Sequence, residues 1–501
     1  MSAILGLDLS TQSCSATVID LNEGHTRAQC SINYGEHLPH YQAPEGFNQE
    51  KSSGSISSNP MMWLEALELC IEDIAKKTPL SEIKAIGGAA QQHGSIYLNE
   101  QWRSQLKTLD RASTLTSHLK TCFSRSTAPI WMDTSTPSEC KEIADAVGGQ
   151  REVCKRTGSR TIERFTGPQI RKFYKQNTEG YEKTRQIHLV SSFIASLLIG
   201  GDAPVDTGDG AGMNLLNLQN AEWDNALLEA TAPNLKSKLP TITSGTQTIG
   251  QLHPFWIQKY GFSPNTTIVN FTGDNPSSLV GMGVEDDQTW VISLGTSDTV
   301  FSAKTEPISD PDGYGHLFGN PLGHYMCLQC FVNGSLAREK VKNQFDMDWP
   351  AFEQALAETP PGNEGNLMLP TFFPEISPPV NRYSPILEGS AEFKEGKHPA
   401  YTIRACVEGQ CMNMLLRTAW MGNRPKLIKL TGGASVSPGI SQIIAETFQA
   451  EVKRLPITET VALGAALRAL YSLNQTTFQH IRNLLCEPDH STTYSPNPKL
   501  K

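Results

Sequence analysis

Apolar residues along the chain fall into two kinds of segment: short strand-like runs and longer stretches with helical spacing. The opening run AILGLDLSTQSCSATVID (3–20) reads as an apolar strand, a turn of small residues and a second apolar strand, a β-hairpin. Residues 61–76 (MMWLEALELCIEDIAK) place apolar side chains at helical spacing among strong helix formers. Residues 83–90 (IKAIGGAA) predict a short buried strand running into Gln91-Gln92-His93-Gly94. Helical patterns recur near 180–199 and 224–232, and the Gly/Asp-rich run 206–212 (DTGDGAG) predicts a loop.

A second unit is expected from residue 263, where Ser263-Pro264-Asn265 makes a turn before the apolar run 267–276 (TIVNFTGDNP). Residues 289–303 (TWVISLGTSDTVFSA) repeat the layout of the opening segment: strand, small turn, strand. Two such hairpins suggest duplication of one α/β unit, giving domains at 1–262 and 263–501. The Pro/Gly-rich stretch 359–381 predicts a long loop, and 400–422, 441–452 and 458–473 predict helices. Residues 426–435 (KLIKLTGGAS) predict a strand ending in two glycines, and the polar tail from 488 is expected to fray.

Composition narrows the class. With 501 residues, 42 Lys+Arg against 51 Asp+Glu, the chain carries a formal charge of −9. That balance excludes non-specific nucleic-acid binding, which needs a basic face for the phosphate backbone. MSAILGLDLSTQS lacks a basic leader and has Asp8 inside its apolar run, so no secretory signal is expected. Ile187–Gly200, the longest apolar stretch, is too short to span a bilayer. Eleven scattered cysteines fit reduced thiols, and the expectation is a soluble, cytoplasmic protein with no membrane partner. Cys327 and Cys330 form a CxxC, but no second pair stands at metal spacing, so they read as core thiols.

Several residues carry candidate chemistry. The chain has no Walker A, GxGxxG or protein-kinase signature; it offers instead small turns at 8–12 (DLSTQ) and 295–297 (GTS), and Gly432-Gly433. Such turns present backbone N–H groups to phosphate oxygens, although each is also an ordinary turn. Asp8 is a charge inside an apolar strand; it either caps its own turn or binds Mg²⁺ beside a nucleotide phosphate. Asp274 precedes Asn275-Pro276, a natural helix start, and would also stand where a strand ends, able to accept a proton from a hydroxyl. His93 and its neighbours suit sugar hydroxyls, or else a satisfied core histidine. Arg164 is either a salt-bridge partner or a bidentate donor to a polyol.

Together these blocks resemble the FGGY family of carbohydrate kinases, and within it the xylulokinase branch, over nearly the whole chain. GLDLSTQS, AAQQHGSIY, APIWMDTSTPSEC, GSRTIERFTGPQI, DGAGMNLL, TGDNPSSLVGMG, SLGTSDTVF, GHLFGNPL, NGSLAREK, LTGGAS and ETVALGAALRA occur in the family's order. The resemblance implies an α/β, actin-like ATPase (ribonuclease-H-like) fold with two related domains around a cleft, the sugar mainly on the first and ATP mainly on the second. It implies ATP- and Mg²⁺-dependent phosphorylation of D-xylulose to D-xylulose 5-phosphate, with Asp274 as base. His93, Arg164, Asp274 and Asn275 would hold the ketose. Asp8 would serve the metal. Thr11, Gln12, Gly295, Thr296 and Ser297 would hold phosphates, while Trp349, Gly432, Gly433 and Ser437 would contact the nucleotide. Ser437 departs from the family's GGASxN pattern, which weakens the expectation at that position. Another ketose or polyol, or a silent binding relative, are the alternative readings, and the chain would act as a monomer or a homodimer on sugar and ATP alone.

Overall fold

The opening apolar run folds back on itself because only turn residues interrupt it. A computed structural model describes residues 2–500 apart from Lys51, Glu285, Ile457 and Thr458. In it β1 (Ala3–Leu9), β2 (Ser13–Asp20) and β3 (Thr26–Asn33) form an antiparallel meander. β4 (Ile83–Ala90) lies parallel to β1 on its other side. β5 (Thr248–Gln251) and β6 (Thr267–Val269) extend the sheet, β6 parallel to β4, and the short β7 (Thr272–Gly273) pairs with the end of β4. Strands buried on both faces read as near-continuous apolar runs, which is what 3–9 and 83–90 display.

The chain divides into two compact units. The first takes the chain up to Gly283 together with Phe318–Tyr325 and Glu459–Cys486; the second takes most of the rest. The second unit's sheet starts from the hairpin of β8 (Thr289–Leu294) and β9 (Asp298–Lys304), with β10 (Tyr325–Phe331) beyond β9. β11 (Leu427–Thr431) runs parallel to β8, and β12 (Glu451–Arg454) parallel to β11. Each unit therefore repeats one plan, an antiparallel hairpin with a parallel strand beside its first member.

The structure draws the border elsewhere than the sequence reading of 1–262 and 263–501. Residues 267–281 give β6, β7 and the helix Asp274–Gly281 to the first sheet, and the helix Thr460–Leu473 belongs to that unit as well. Thr458, the first residue of that helical pattern, lies outside the described residues. The reason is close approach of backbone to backbone. A methyl group on Gly6 of β1 would fall 2.0 Å from the carbonyl oxygen of Ala462, and one on Gly464 would fall 1.9 Å from that of Ser277. Arg468, wholly buried, then donates to the carbonyl oxygens of Gly245 and Asn270 at 2.7 Å and of Gly88 at 2.5 Å. Burial holds its guanidinium down to about 10, the nearby Asp206 acting against that.

Most of the remaining elements follow the pattern. Helices Pro60–Lys77, Val190–Ile199, Pro399–Arg417 and Pro438–Phe448 stand where apolar spacing predicts them. The tail does not fray throughout: β13 (Asp489–Tyr494) pairs antiparallel with β12, because an open strand edge satisfies even a polar segment's backbone. Cys327 and Cys330 sit on opposite faces of β10, as an odd spacing in a strand requires. No helix among the described residues is long and apolar enough to cross a membrane.

The Gly464 contact makes a direct prediction. Gly464→Ala drives a methyl into backbone that cannot yield, and is expected to destabilise the protein by about 3 kcal/mol, read as a lowered melting temperature. Gly433→Ala, where nothing stands within 4 Å of the added carbon, serves as the control and leaves the melting temperature in place.

Candidate active site

In the first unit, parallel pairing brings three strand ends into line. Ala90 of β4 pairs with Leu9 of β1 and with Gly273 of β7, so Ser10, Gln91 and Asp274 leave the sheet together at its carboxyl edge. Ligands of α/β sheets bind at such edges. Asp274 opens its helix at the first position, where helix N–H groups face it. Its Oδ1 accepts from the Asn275 N–H at 2.8 Å and from Asn275 Nδ2 at 3.2 Å. Asn275 Nδ2 also donates to Gln92 Oε1 at 3.0 Å, and Gln92 Nε2 donates to the Gly208 carbonyl at 3.3 Å. Asp274 keeps part of its surface in solvent, yet burial pushes its carboxyl up to about 6, against the pull of backbone N–H groups at Asn275 and Gln92.

Asp8 is more deeply enclosed, 5% exposed. Ser10 Oγ donates to its Oδ2 at 2.6 Å, while its Oδ1 has no protein partner among the described residues. Burial pushes this carboxyl up to about 8; the Ser10 bond opposes the shift, and Asp274 and Glu459 add to it. The turn that follows is held by Tyr34, whose hydroxyl donates to the Ser13 carbonyl at 2.8 Å, and Trp131 Nε1 donates to Thr11 Oγ1 at 2.8 Å. Gln12 is exposed. Asp209 lies near Asp274 and was not marked by sequence reasoning. It is buried, receives the Ser191 hydroxyl, and is held well above the usual carboxylate range by burial and by repulsion from Asp206 and Asp274. Two aspartates in one glycine loop, Asp206 and Asp209, were its only signal.

His93 adopts a left-handed backbone, φ 70°, which turns the chain sharply after Gln92. Its Nδ1 lies 2.8 Å from the Gly212 carbonyl, which can only accept, so Nδ1 carries the proton and Nε2 is left as an acceptor. Burial, with the charge of Arg164 adding to it, pushes the imidazole down to about 3 and keeps it neutral. Phe165 stacks on the His93 ring with centroids 4.3 Å apart, and the Arg164 guanidinium lies 5.8 Å from the Phe165 ring centre. The first unit therefore gathers Asp8, His93, Arg164, Asp274 and Asn275, with Thr11 and Gln12 in the turn after Asp8.

The second unit gathers its own set. A pocket of about 680 Å³ is lined by Gly295, Thr296, Trp349, Glu353, Gly433, Ser437 and neighbouring apolar residues. Ser297 and Gly432 flank it without lining it. Gly432 needs its positive φ of 88° and its lack of a side chain, since a methyl there would meet the Leu294 carbonyl at 2.5 Å. Trp349 is 50% exposed at the start of its helix. Beneath the 295–297 turn, Arg338 forks onto both oxygens of Asp298 at 2.8 and 2.9 Å, wholly buried. Glu353, absent from the sequence reading, stands four residues after Trp349 on one helix face.

Residues 125–281 match the model of the FGGY carbohydrate kinases' N-terminal domain, and residues 290–473 that of their C-terminal domain. The chain belongs to this family. It is 38% identical to the xylulose kinase of Rattus norvegicus over 506 residues, covering 99% of this chain and 93% of that one. Among solved structures, the ligand-bound xylulose kinase of Lactobacillus acidophilus superposes with a TM-score of 0.82 at 21% identity, over 100% of this chain and 94% of that chain. The gluconate kinase of the same organism gives the same TM-score and identity, over 99% and 94%. The fold is thus the actin-like, ribonuclease-H-like α/β fold of these sugar kinases.

Asp8 leaves a measurable trace in stability. A carboxyl whose folded-state pKa lies above the ordinary 3.8 binds its proton more tightly when folded. Its stabilising contribution is complete below the unfolded value and is lost as the pH rises through about 8. In chelator-treated protein, the melting temperature of Asp8→Asn relative to the unmodified chain should therefore climb between pH 4 and pH 8. A difference independent of pH would contradict the assignment.

Proposed function

We propose that the protein transfers the γ-phosphoryl group of ATP to the 5-hydroxyl of D-xylulose, giving D-xylulose 5-phosphate and ADP. The observation that carries this reading is Asp274: a carboxylate at the carboxyl edge of the first sheet, oriented by Asn275 and tuned by burial to about 6. A general base does its work near its own pKa, and this one is ionised at neutral pH while still basic enough to take a proton. The near-complete coverage by relatives named xylulose kinase supports the choice of sugar.

The chemistry then follows from the chain's own groups. Asp274 accepts the proton of the attacking hydroxyl as its oxygen bonds to the γ-phosphorus and the bridge to the β-phosphate breaks. Asn275 and Gln92 fix the carboxylate's direction, so little reorientation is required at the moment of transfer. His93 Nε2, neutral and acceptor-only, holds a sugar hydroxyl, and Arg164 donates to another. In the second unit, backbone N–H groups of 295–297 and Gly433 hold phosphate oxygens, and Trp349 covers the base.

Magnesium fits the first unit. Asp8 offers a buried carboxylate oxygen without a protein partner, and a carboxyl held near 8 ionises readily at neutral pH only beside a cation. Among the described residues no three His, Cys, Asp or Glu side chains converge on a metal. When bound, the ion offsets negative charge on the phosphates.

Three measurements check the proposal. An ADP-release assay across ketoses, aldoses and polyols should give the highest kcat/KM with D-xylulose; a better substrate elsewhere in the panel would move the assignment to that sugar, and binding without turnover on any sugar would mark a silent relative. Asp274→Asn should keep the fold and lower kcat by roughly 10²–10⁴. The acid limb of kcat/KM should show an apparent pKa near 6, activity falling as Asp274 takes up its proton below that pH. A flat profile from pH 5 to 8 would rule Asp274 out as the base.

A further inference from the structure

The second-unit pocket contains an acidic side chain that phosphate binding does not use. Glu353 lines the pocket one helical turn beyond Trp349. Its Oε2 accepts the Ser437 hydroxyl at 2.5 Å, and its Oε1 accepts the Gly439 N–H. Ser437 in turn caps the helix Pro438–Phe448, its Oγ accepting the Ile440 N–H at 3.1 Å. The serine therefore has its one proton committed to Glu353 and an acceptor site committed to the helix. It has no donor left for a ligand.

That commitment changes which residue can read the base. Each oxygen of Glu353 carries one hydrogen bond and keeps a lone pair, and a carboxylate held this way is an acceptor with a fixed direction. Such a group favours a purine with an exocyclic amine and repels one with a carbonyl at the same place. Leaving a ligand carbonyl against this half-buried acceptor, inside a pocket the base would close off from water, forfeits a hydrogen bond on both sides. We infer that Glu353 is the residue that selects the purine of the phosphoryl donor, accepting the 6-amino group of adenine and rejecting 6-oxo purines. The inference rests on the pocket being the nucleotide site. It also assigns Ser437 a positioning role, aligning the Glu353 carboxylate instead of touching the base.

The rival is that Glu353 merely caps the helix through Ser437 and Gly439. Calorimetric binding of ATP and of inosine triphosphate, which carries a 6-carbonyl in place of the amine, separates the two with the full-length chain and needs no turnover. The unmodified chain should prefer ATP by about tenfold or more, the order of discrimination one buried polar contact supplies. Glu353→Gln keeps an acceptor for the cap and adds an N–H donor, so the preference should collapse, with inosine triphosphate binding more tightly than before. A change of equal factor for both nucleotides, or none, would reduce Glu353 to a cap and overturn the inference. Ser437→Ala provides a second reading should Glu353→Gln melt early. With the Gly439 N–H still holding the carboxylate, the ATP preference should shrink but survive, and a preference left unchanged would overturn the positioning role of the serine. Failure of the unmodified chain to bind either nucleotide would instead remove the nucleotide reading of the pocket.

Discussion

The active half of the molecule depends on one packing constraint, the backbone-to-backbone approach of the helix Thr460–Leu473 to β1, β4 and the Asp274 helix. Gly6 and Gly464 permit it by having no side chain, and Arg468 locks it by binding the carbonyl groups of Gly88, Gly245 and Asn270. A buried guanidinium is costly unless its donors are met, and these carbonyls meet several of them. The consequence is positional. With the Asp274 helix pressed on that seam, the first helical residue is delivered to the end of β7, beside the ends of β1 and β4. A segment some 190 residues later in the chain thus determines where Asp274 stands.

Once the strand ends are aligned, electrostatics differentiates the acids placed there. Asp8, Asp209 and Asp274 are all raised by burial, but by different amounts because their partners differ. Asp274, with backbone N–H groups aimed at it, stays within reach of neutral pH. Asp8 has one hydroxyl partner and, among the described residues, none for its other oxygen, and it is held higher. His93 shifts in the opposite direction for the same cause, since burial penalises its charged form. One enclosed edge therefore holds a carboxyl raised modestly, one raised further and a neutral imidazole on three side chains.

Much of this was legible in the residues, and the exceptions share a cause. The hairpins at 3–20 and 289–303, the strand at 83–90 and the helix at 399–417 follow from apolar spacing, which is local. The border at 263 was not, because it is decided by Gly6 meeting Ala462 and Gly464 meeting Ser277, contacts that periodicity does not register. Asp8 stood out as a charge inside an apolar run, and His93 and Asp274 as polar residues after the ends of such runs. Glu353 and Asp209 did not, since an acid on an amphipathic helix or in a glycine loop looks like ordinary surface until the fold encloses it. The strand at Asp489–Tyr494 escaped for a related reason: its stability comes from the free edge of β12, not from its own polar sequence.

The equal likeness to a xylulose kinase and a gluconate kinase from one organism shows how little of the substrate choice resides in the architecture. Gluconate is an acid and xylulose is not, yet both named proteins superpose on this chain with a TM-score of 0.82. Selectivity has to come from the few side chains at the strand ends. Here those are a histidine held neutral by burial, a guanidinium stacked near Phe165 and an amide pair at Gln92 and Asn275. On the proposed reading Asp274, ionised at neutral pH, disfavours an anionic sugar, and a neutral polyhydroxylated one meets acceptors and donors in turn. The chain's charge of −9 has the same bearing on the nucleotide. Bulk charge will not draw a polyphosphate to this protein, so under the proposed function its affinity is built from oriented backbone N–H groups, a cation at Asp8 and the aromatic face of Trp349.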